Sequence, residues 1–265
     1  MTGTLTTFCV EMTGLPCNSD DSSGIAEEMP NTPSGLKLLS RYEVGSDCTS
    51  VSFDSRSGDL ILGCTDGVKI LRKGSHEAKE KTQHCNATVA VHKGNLFIAG
   101  RKDEEILEIS VYNMETRQTE LTFSFSKVSG LSSYLAVSDH FIVCTDKNEN
   151  QEAVKLFDWE KKPLKTIQLP QLTKYIRNMR FLRDGSILVT GGNGGIGNLN
   201  KYKISRTQST DDNNIFSLIW SCALHEASGI DVSSDERLIF VCKHWDKVVY
   251  VIDYDGEYNF TAAAA

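Results

Sequence analysis

From Leu36 onward the chain consists of short apolar runs rich in Val, Ile, Leu, Phe and Tyr, separated by polar turns. Runs of about four to eight such residues bounded by turn residues predict β-strands, and no sustained helical periodicity competes with them. Five segments share one order: an apolar strand, a polar turn, a second strand ending in a small residue, a loop, then a third and often a fourth strand. The first two strands begin at Val51, Val89, Leu135, Met179 and Ile230, and the second strands end at Cys64, Gly100, Cys144, Gly191 and Cys242. Those small residues lie 36, 44, 47 and 51 residues apart. Third strands are predicted from Val68, Ile106, Val154, Leu199 and Val248, and fourth strands from Leu121, Leu164 and Ile215. The expected fold class is all-β.

A four-stranded unit recurring at this spacing predicts the blades of a β-propeller, each an antiparallel sheet. One such sheet has two faces and cannot cover both by itself, so radial stacking buries each face against a neighbour. Small residues closing the second strands suit the crowded centre of such a stack. Cys64, Cys144 and Cys242 are therefore expected to be packing thiols that resist a thiol probe, not nucleophiles. Five repeats are in hand. Leu36 to Val44 reads as an isolated strand ahead of the first repeat, and Tyr258 to Phe260 as the start of a fourth strand for the last. Two ring sizes stay open, a five-bladed propeller or a six-bladed one with an incomplete last blade.

With the repeats aligned, the chain resembles the divergent NHL/WD-like propellers at the C-termini of invertebrate tripartite-motif proteins. The resemblance rests on Val51 to Leu71 (VSFDSRSGDLILGCTDGVKIL), FLRDGSILVTGG from Phe181, and the run from Gly229 to Gly256, and it covers residues 36–261. No repeat carries the GH…WD signature of a typical WD-repeat. The resemblance implies the substrate-recognition part of a tripartite-motif-like assembly. It implies no ligase catalysis, because these 265 residues hold no RING or B-box segment. Related propellers include RNA binders, which gives the alternative reading of an RNA-binding NHL-type propeller.

Composition bears on the choice. With 28 Lys and Arg against 35 Asp and Glu, the net charge is -7, which disfavours nucleic acid and anionic membranes as partners. No apolar run is long enough to span a bilayer. The first fifteen residues lack the basic and apolar regions of a secretory signal, so a cytoplasmic location is expected. Residues 1–35 read as a disordered leader, acidic and punctuated by Ser, Pro and Gly, with the propeller domain over 36–265. None of the eight cysteines forms a CxxC pair, and the six histidines form no HExxH or other ligand spacing, so neither metal nor cofactor is expected.

The glycine-rich stretch Thr190 to Asn198 (TGGNGGIGN) lacks the GK of a phosphate-binding loop and runs into a predicted strand instead of a helix. It is expected to be a hairpin loop. No aspartate box and no GxSxG elbow occurs. The chain therefore reads as a non-enzymatic protein-interaction scaffold that binds another protein or peptide.

Strand direction alternates through each unit. The loops leading into first strands and those joining second to third strands must then emerge on the same end, and the turns joining first to second strands on the other. The first end collects Tyr175, Arg177, His225, Trp245, His84, Arg101 and Lys102, residue types that anchor interfaces. Docking is expected there, centred on Tyr175, Arg177, His225 and Trp245. The opposite turns, including those at His92 and His140, are expected to be plain solvated hairpins.

Overall fold

The computed structural model describes residues 4–10, 36–43, 46–73, 78–82, 85–101, 106–126, 134–148, 151–158, 163–169, 172, 175–193, 196–205, 215–233, 235–243 and 248–263. Strand β1 (Thr4–Val10) pairs antiparallel with β2 (Leu36–Glu43). The first four-stranded sheet follows as β3 (Cys48–Asp54), β4 (Asp59–Cys64), β5 (Gly67–Leu71) and β6 (Ala78–Thr82). The second is β7 (Cys85–His92), β8 (Asn95–Arg101), β9 (Ile106–Asn113) and β10 (Gln118–Ser126). The third is β11 (Leu135–Val137), β12 (Phe141–Asn148), β13 (Gln151–Asp158) and β14 (Pro163–Gln168). The fourth is β15 (Ile176–Phe181), β16 (Ile187–Asn193), β17 (Ile196–Ile204) and β18 (Phe216–Ala223), and the fifth β19 (Ala227–Val232), β20 (Leu238–Lys243), β21 (Val248–Asp253) and β22 (Tyr258–Ala263). Each is an antiparallel meander in chain order.

Period-two alternation decides what packs where. Along β8, Leu96 and Ile98 join Ile61, Val68, Ala87 and Val89 in the core between the first two sheets. Their neighbours Phe97 and Ala99 face the other way, onto Leu135, Ile142, Cys144 and Phe157 of the third sheet. The pattern repeats on β16. Ile187 and Val189 meet Val143, Val154 and Leu156, whereas Leu188 meets Ile239, Val241 and Ile252 of the fifth sheet. Four inter-sheet interfaces thus hold four buried clusters.

The first strands β3, β7, β11, β15 and β19 are neighbours in succession. Each is the edge of its own sheet, so its outward backbone groups need partners elsewhere. Side chains on the preceding sheet supply them. The Val89 and Val91 amides donate to the Ser50 and Ser52 hydroxyls at 2.9 and 3.0 Å. The Thr49 hydroxyl donates to the Ala87 carbonyl, and Thr190 repeats that bond to Ser228 between the last two sheets.

Several expectations need correction. Strand β1 lies within residues 1–35 and pairs with β2, and the fourth strand of the last sheet is β22. Strand β6 (AKEKT) is too charged to carry an apolar signal, yet it pairs along β5 as the outer edge, where charge is suited. Cys64 and Cys144 are buried as expected, but Cys242 is exposed, because the fifth sheet turns that face away from the fourth. The five sheets resemble propeller blades, and no closed ring is seen among the described residues. Val51 and Phe53, 54% and 58% exposed, mark the uncovered side of the first sheet.

Gly63 lies where β4 meets the second sheet, and a Cβ there would overlap the Ala87 carbonyl and the Ser50 hydroxyl. We predict that Gly63→Ala destabilises the fold by about 1–3 kcal/mol in urea unfolding, as overpacking does. An unchanged or raised midpoint would show that the first two sheets are not in this contact.

Candidate functional site

The two ends of the stack differ in what their residues do. At the end carrying first-to-second-strand turns, side chains bridge one sheet to the next. Lys93 and Gly94 both take positive φ, 48° and 79°, the conformation of a type I′ hairpin, and the Arg56 guanidinium lies over Gly94. His92 and Lys93 each place a nitrogen 2.7 Å from Asp139 Oδ1 in the equivalent turn of the third sheet. The Arg183 amide donates to both oxygens of Glu236, at 3.1 and 3.0 Å, joining the turns of the fourth and fifth sheets. His140 remains exposed, its ring edge-on to Phe141. The expectation of plain solvated hairpins is therefore corrected: several turns are cross-links.

Beside these turns lies a buried cation. Lys201, on β17, is buried with Nζ 3.2 Å above the centre of the Tyr254 ring and 3.8 Å from Asp184 Oδ2. Tyr254 donates its hydroxyl to the same carboxylate. Burial pushes the Lys201 ammonium below its ordinary value, against the opposing pull of Asp184, Asp255 and Glu236. Desolvation works to raise the Asp184 carboxyl, but the hydrogen bonds from Ser186 and Tyr254 and the Lys201 charge together hold it below the ordinary carboxylate range. Burial, then the bond to Asp184, pushes the Tyr254 phenol up to about 12. The arrangement combines a cation–π contact with an ion pair and ties the fourth sheet to the fifth.

At the other end backbone bonds tie the leading loops to the second strands. The Tyr175 carbonyl accepts the Gly192 amide at 2.9 Å, as Asp47 accepts that of Thr65 and Tyr134 that of Thr145. These bonds place the leading loops of the first, third and fourth sheets beside the ends of their second strands, as the direction argument requires. Tyr175 is 45% exposed at the start of β15. Arg177 is half-buried within β15, at a register shift, and so belongs to the strand instead of the loop. His225, its side chain 62% exposed, sits in the turn before β19, where Glu226 takes φ 56° and the His225 carbonyl accepts the Tyr250 hydroxyl. Because β15 and β19 are neighbours, Tyr175 and His225 flank the same junction between sheets. Arg101 closes β8, although its side chain, like His84, Lys102 and Trp245, lies outside the described residues.

The glycine-rich stretch is a hairpin, with Gly191, Gly192 and Asn193 paired to Asn198, Gly197 and Ile196. Its glycines permit close backbone approach: a Cβ on Gly197 would lie 2.7 Å from the Leu224 carbonyl. Among the described residues, no group of three or more His, Cys, Asp or Glu could hold a metal ion, and no helix is long and apolar enough to cross a membrane.

No family model matches this sequence, and no curated protein matches it. Solved structures do. The chain is similar to Hsv2 from Kluyveromyces lactis, with 12% identity, a TM-score of 0.52, and coverage of 82% of this chain and 62% of that one. It is similar to the WD40 domain of Toxoplasma gondii coronin, with 14% identity, a TM-score of 0.55, and coverage of 84% and 60%. The β-propeller domain of Cps50 (Swd1) from Myceliophteria thermophila gives 10% identity, a TM-score of 0.57, and coverage of 86% and 77%. The chain thus spans less than two thirds of the first two. Together they define the fold as β-propeller-like, without singling out the propellers of tripartite-motif proteins.

Because Asp184 is held ionised in the folded state, its stabilisation is present above the ordinary Asp value, about 4, and is lost as pH falls through the lower folded value. Asp184→Asn is expected to be less stable than the parent at pH 7 and to lose less on acidification. Circular dichroism melts from pH 7 to pH 3 check this. Parallel curves would remove Asp184 from the acid-side loss.

Proposed function

We propose that this chain is a non-enzymatic protein-recognition domain whose protein or peptide partner docks on the end carrying the leading loops. One observation carries the reading. Side chains at the opposite end are engaged in sheet-to-sheet bonds, whereas Tyr175 and His225 are exposed at neighbouring loops on this end. Exposed aromatic and imidazole groups over a rigid β-scaffold are typical anchors for a partner. The finer assignment, recognition of substrates within a tripartite-motif-like assembly, rests on the sequence resemblance alone.

RNA binding is the weaker reading. Of three nearby basic residues, Arg177, Arg180 and Arg183, Arg180 pairs with Asp231 at 3.2 Å and Arg183 lies 3.9 Å from Glu236, so acidic neighbours on the surface already offset part of their charge. The overall charge of -7 also opposes phosphate binding, which depends on charge neutralisation.

Partner capture from lysate followed by alanine substitution tests the proposal. Replacing Tyr175, Arg177, His225 and Trp245 together is expected to weaken binding at least about tenfold, about 1.4 kcal/mol, with Arg56→Ala and Asp235→Ala near neutral. The reverse pattern would place the docking surface on the other end. An electrophoretic shift that weakens steeply between two salt concentrations would favour RNA.

A further inference from the structure

Strands β3 and β4 bring two cysteines together that are sixteen residues apart in sequence. Cys48 and Cys64 are register partners, and cross-strand partners share one face of a sheet. Antiparallel partners lie about 4.5–5.5 Å apart at Cα, within the roughly 4.4–6.8 Å span of a disulfide. Both are free thiols, hydrogen-bonded to each other. Cys48 Sγ also reaches the Ser50 carbonyl at 3.2 Å. Leu60 and Leu62 pack around the pair. At its edge stands Lys69, whose Nζ donates to Ser46 Oγ at 2.8 Å and to Asp66 Oδ2 at 2.9 Å.

We propose that Cys48 and Cys64 form a reversible dithiol–disulfide site that is oxidised by a hydroperoxide. Cys48 is half-buried, within reach of a small oxidant, and Cys64 lies fully buried behind it. The hydrogen bond from Cys48, then those from Ser46 and the charge of Lys69, pull the Cys64 thiol down to about 7 against desolvation and the Asp66 charge. Holding its proton for Cys64 pushes the Cys48 thiol upward. The two thiols therefore titrate as a pair: the first proton leaves near the lower value, and the second is shared between the two sulfurs.

The chemistry balances. With the shared proton resting on Cys64, the Cys48 thiolate attacks the terminal peroxide oxygen and the O–O bond breaks. The alkoxide leaves, protonated from solvent, as an alcohol, or as water if the oxidant is hydrogen peroxide. The Cys64 sulfur then attacks the Cys48 sulfenic sulfur, the S–S bond forms, and the S–O bond breaks. Hydroxide departs with the Cys64 proton as water. The thiols lose two electrons, and the hydroperoxide gains them. No other partner is required, and the site is independent of the docking proposal above.

The test treats the whole purified chain with hydrogen peroxide, blocks remaining thiols, and maps peptides without reduction. A Cys48–Cys64 linked peptide that disappears on dithiothreitol treatment is expected, with Cys48 thiol lost at least about tenfold faster than that of buried Cys144. In Cys64→Ser, with circular dichroism checking the fold, Cys48 should stop at the sulfenic or higher acids and give no linked peptide. Oxidation of Cys48 and Cys144 at equal rates, or accumulation of Cys48 sulfinic acid in the parent with no linked peptide, would overturn the proposal.

Discussion

The fold depends on one constraint: a sheet with apolar side chains on both faces must be covered twice. Alternation along β8, β12 and β16 sends successive residues to opposite neighbours, so the middle sheets are sandwiched and each interface has its own buried cluster. The hydrophobic effect drives that stacking, and its lack of direction explains why divergent sequences reach it. Direction comes from hydrogen bonds. The first strand of each sheet is an edge, and hydroxyls such as Ser50 and Ser52 meet the backbone of the next edge, fixing how neighbouring sheets register. Uncovered Val51 and Phe53 show the same constraint where the described stack ends.

Side chains join neighbouring sheets at both ends of the stack. Asp139 draws His92 and Lys93 across one junction, Glu236 caps the Arg183 amide across another, and Lys201 is clamped between Asp184 and Tyr254 at the same junction. A buried lysine left without partners is costly, so its retention here depends on the carboxylate and the aromatic face together. At the opposite end backbone bonds, as between Gly192 and Tyr175, join side-chain bonds such as that of Thr190 to the Ser228 carbonyl, while Tyr175 and His225 stay exposed.

The thiols illustrate how a small-residue position can acquire chemistry. Cys144 occupies its slot as a packing residue between the second and third sheets. Cys64, in the corresponding slot of the first repeat, has Cys48 as its register partner and Lys69 on the adjoining strand. Identical residues in equivalent positions therefore sit in different electrostatic settings. Thiol reactivity follows setting more than sequence.

The sequence alone determined the all-β class, the five repeats, the hairpin nature of the glycine-rich stretch and the end on which each loop emerges. Those properties follow from local alternation and chain direction, which any reader of period two can extract. It did not reveal β6, whose charged residues carry no apolar signal, or the β1–β2 pairing, because strand partners are chosen by long-range geometry. Tyr175, Arg177 and His225 were legible as loop-end candidates, yet only the structure set Arg177 into a strand and Tyr175 beside the junction with His225. The Cys48–Cys64 pair and the Lys201 clamp were invisible to spacing rules. Their members meet across strands and sheets, and it is tertiary packing that decides which side chains share a low-dielectric pocket.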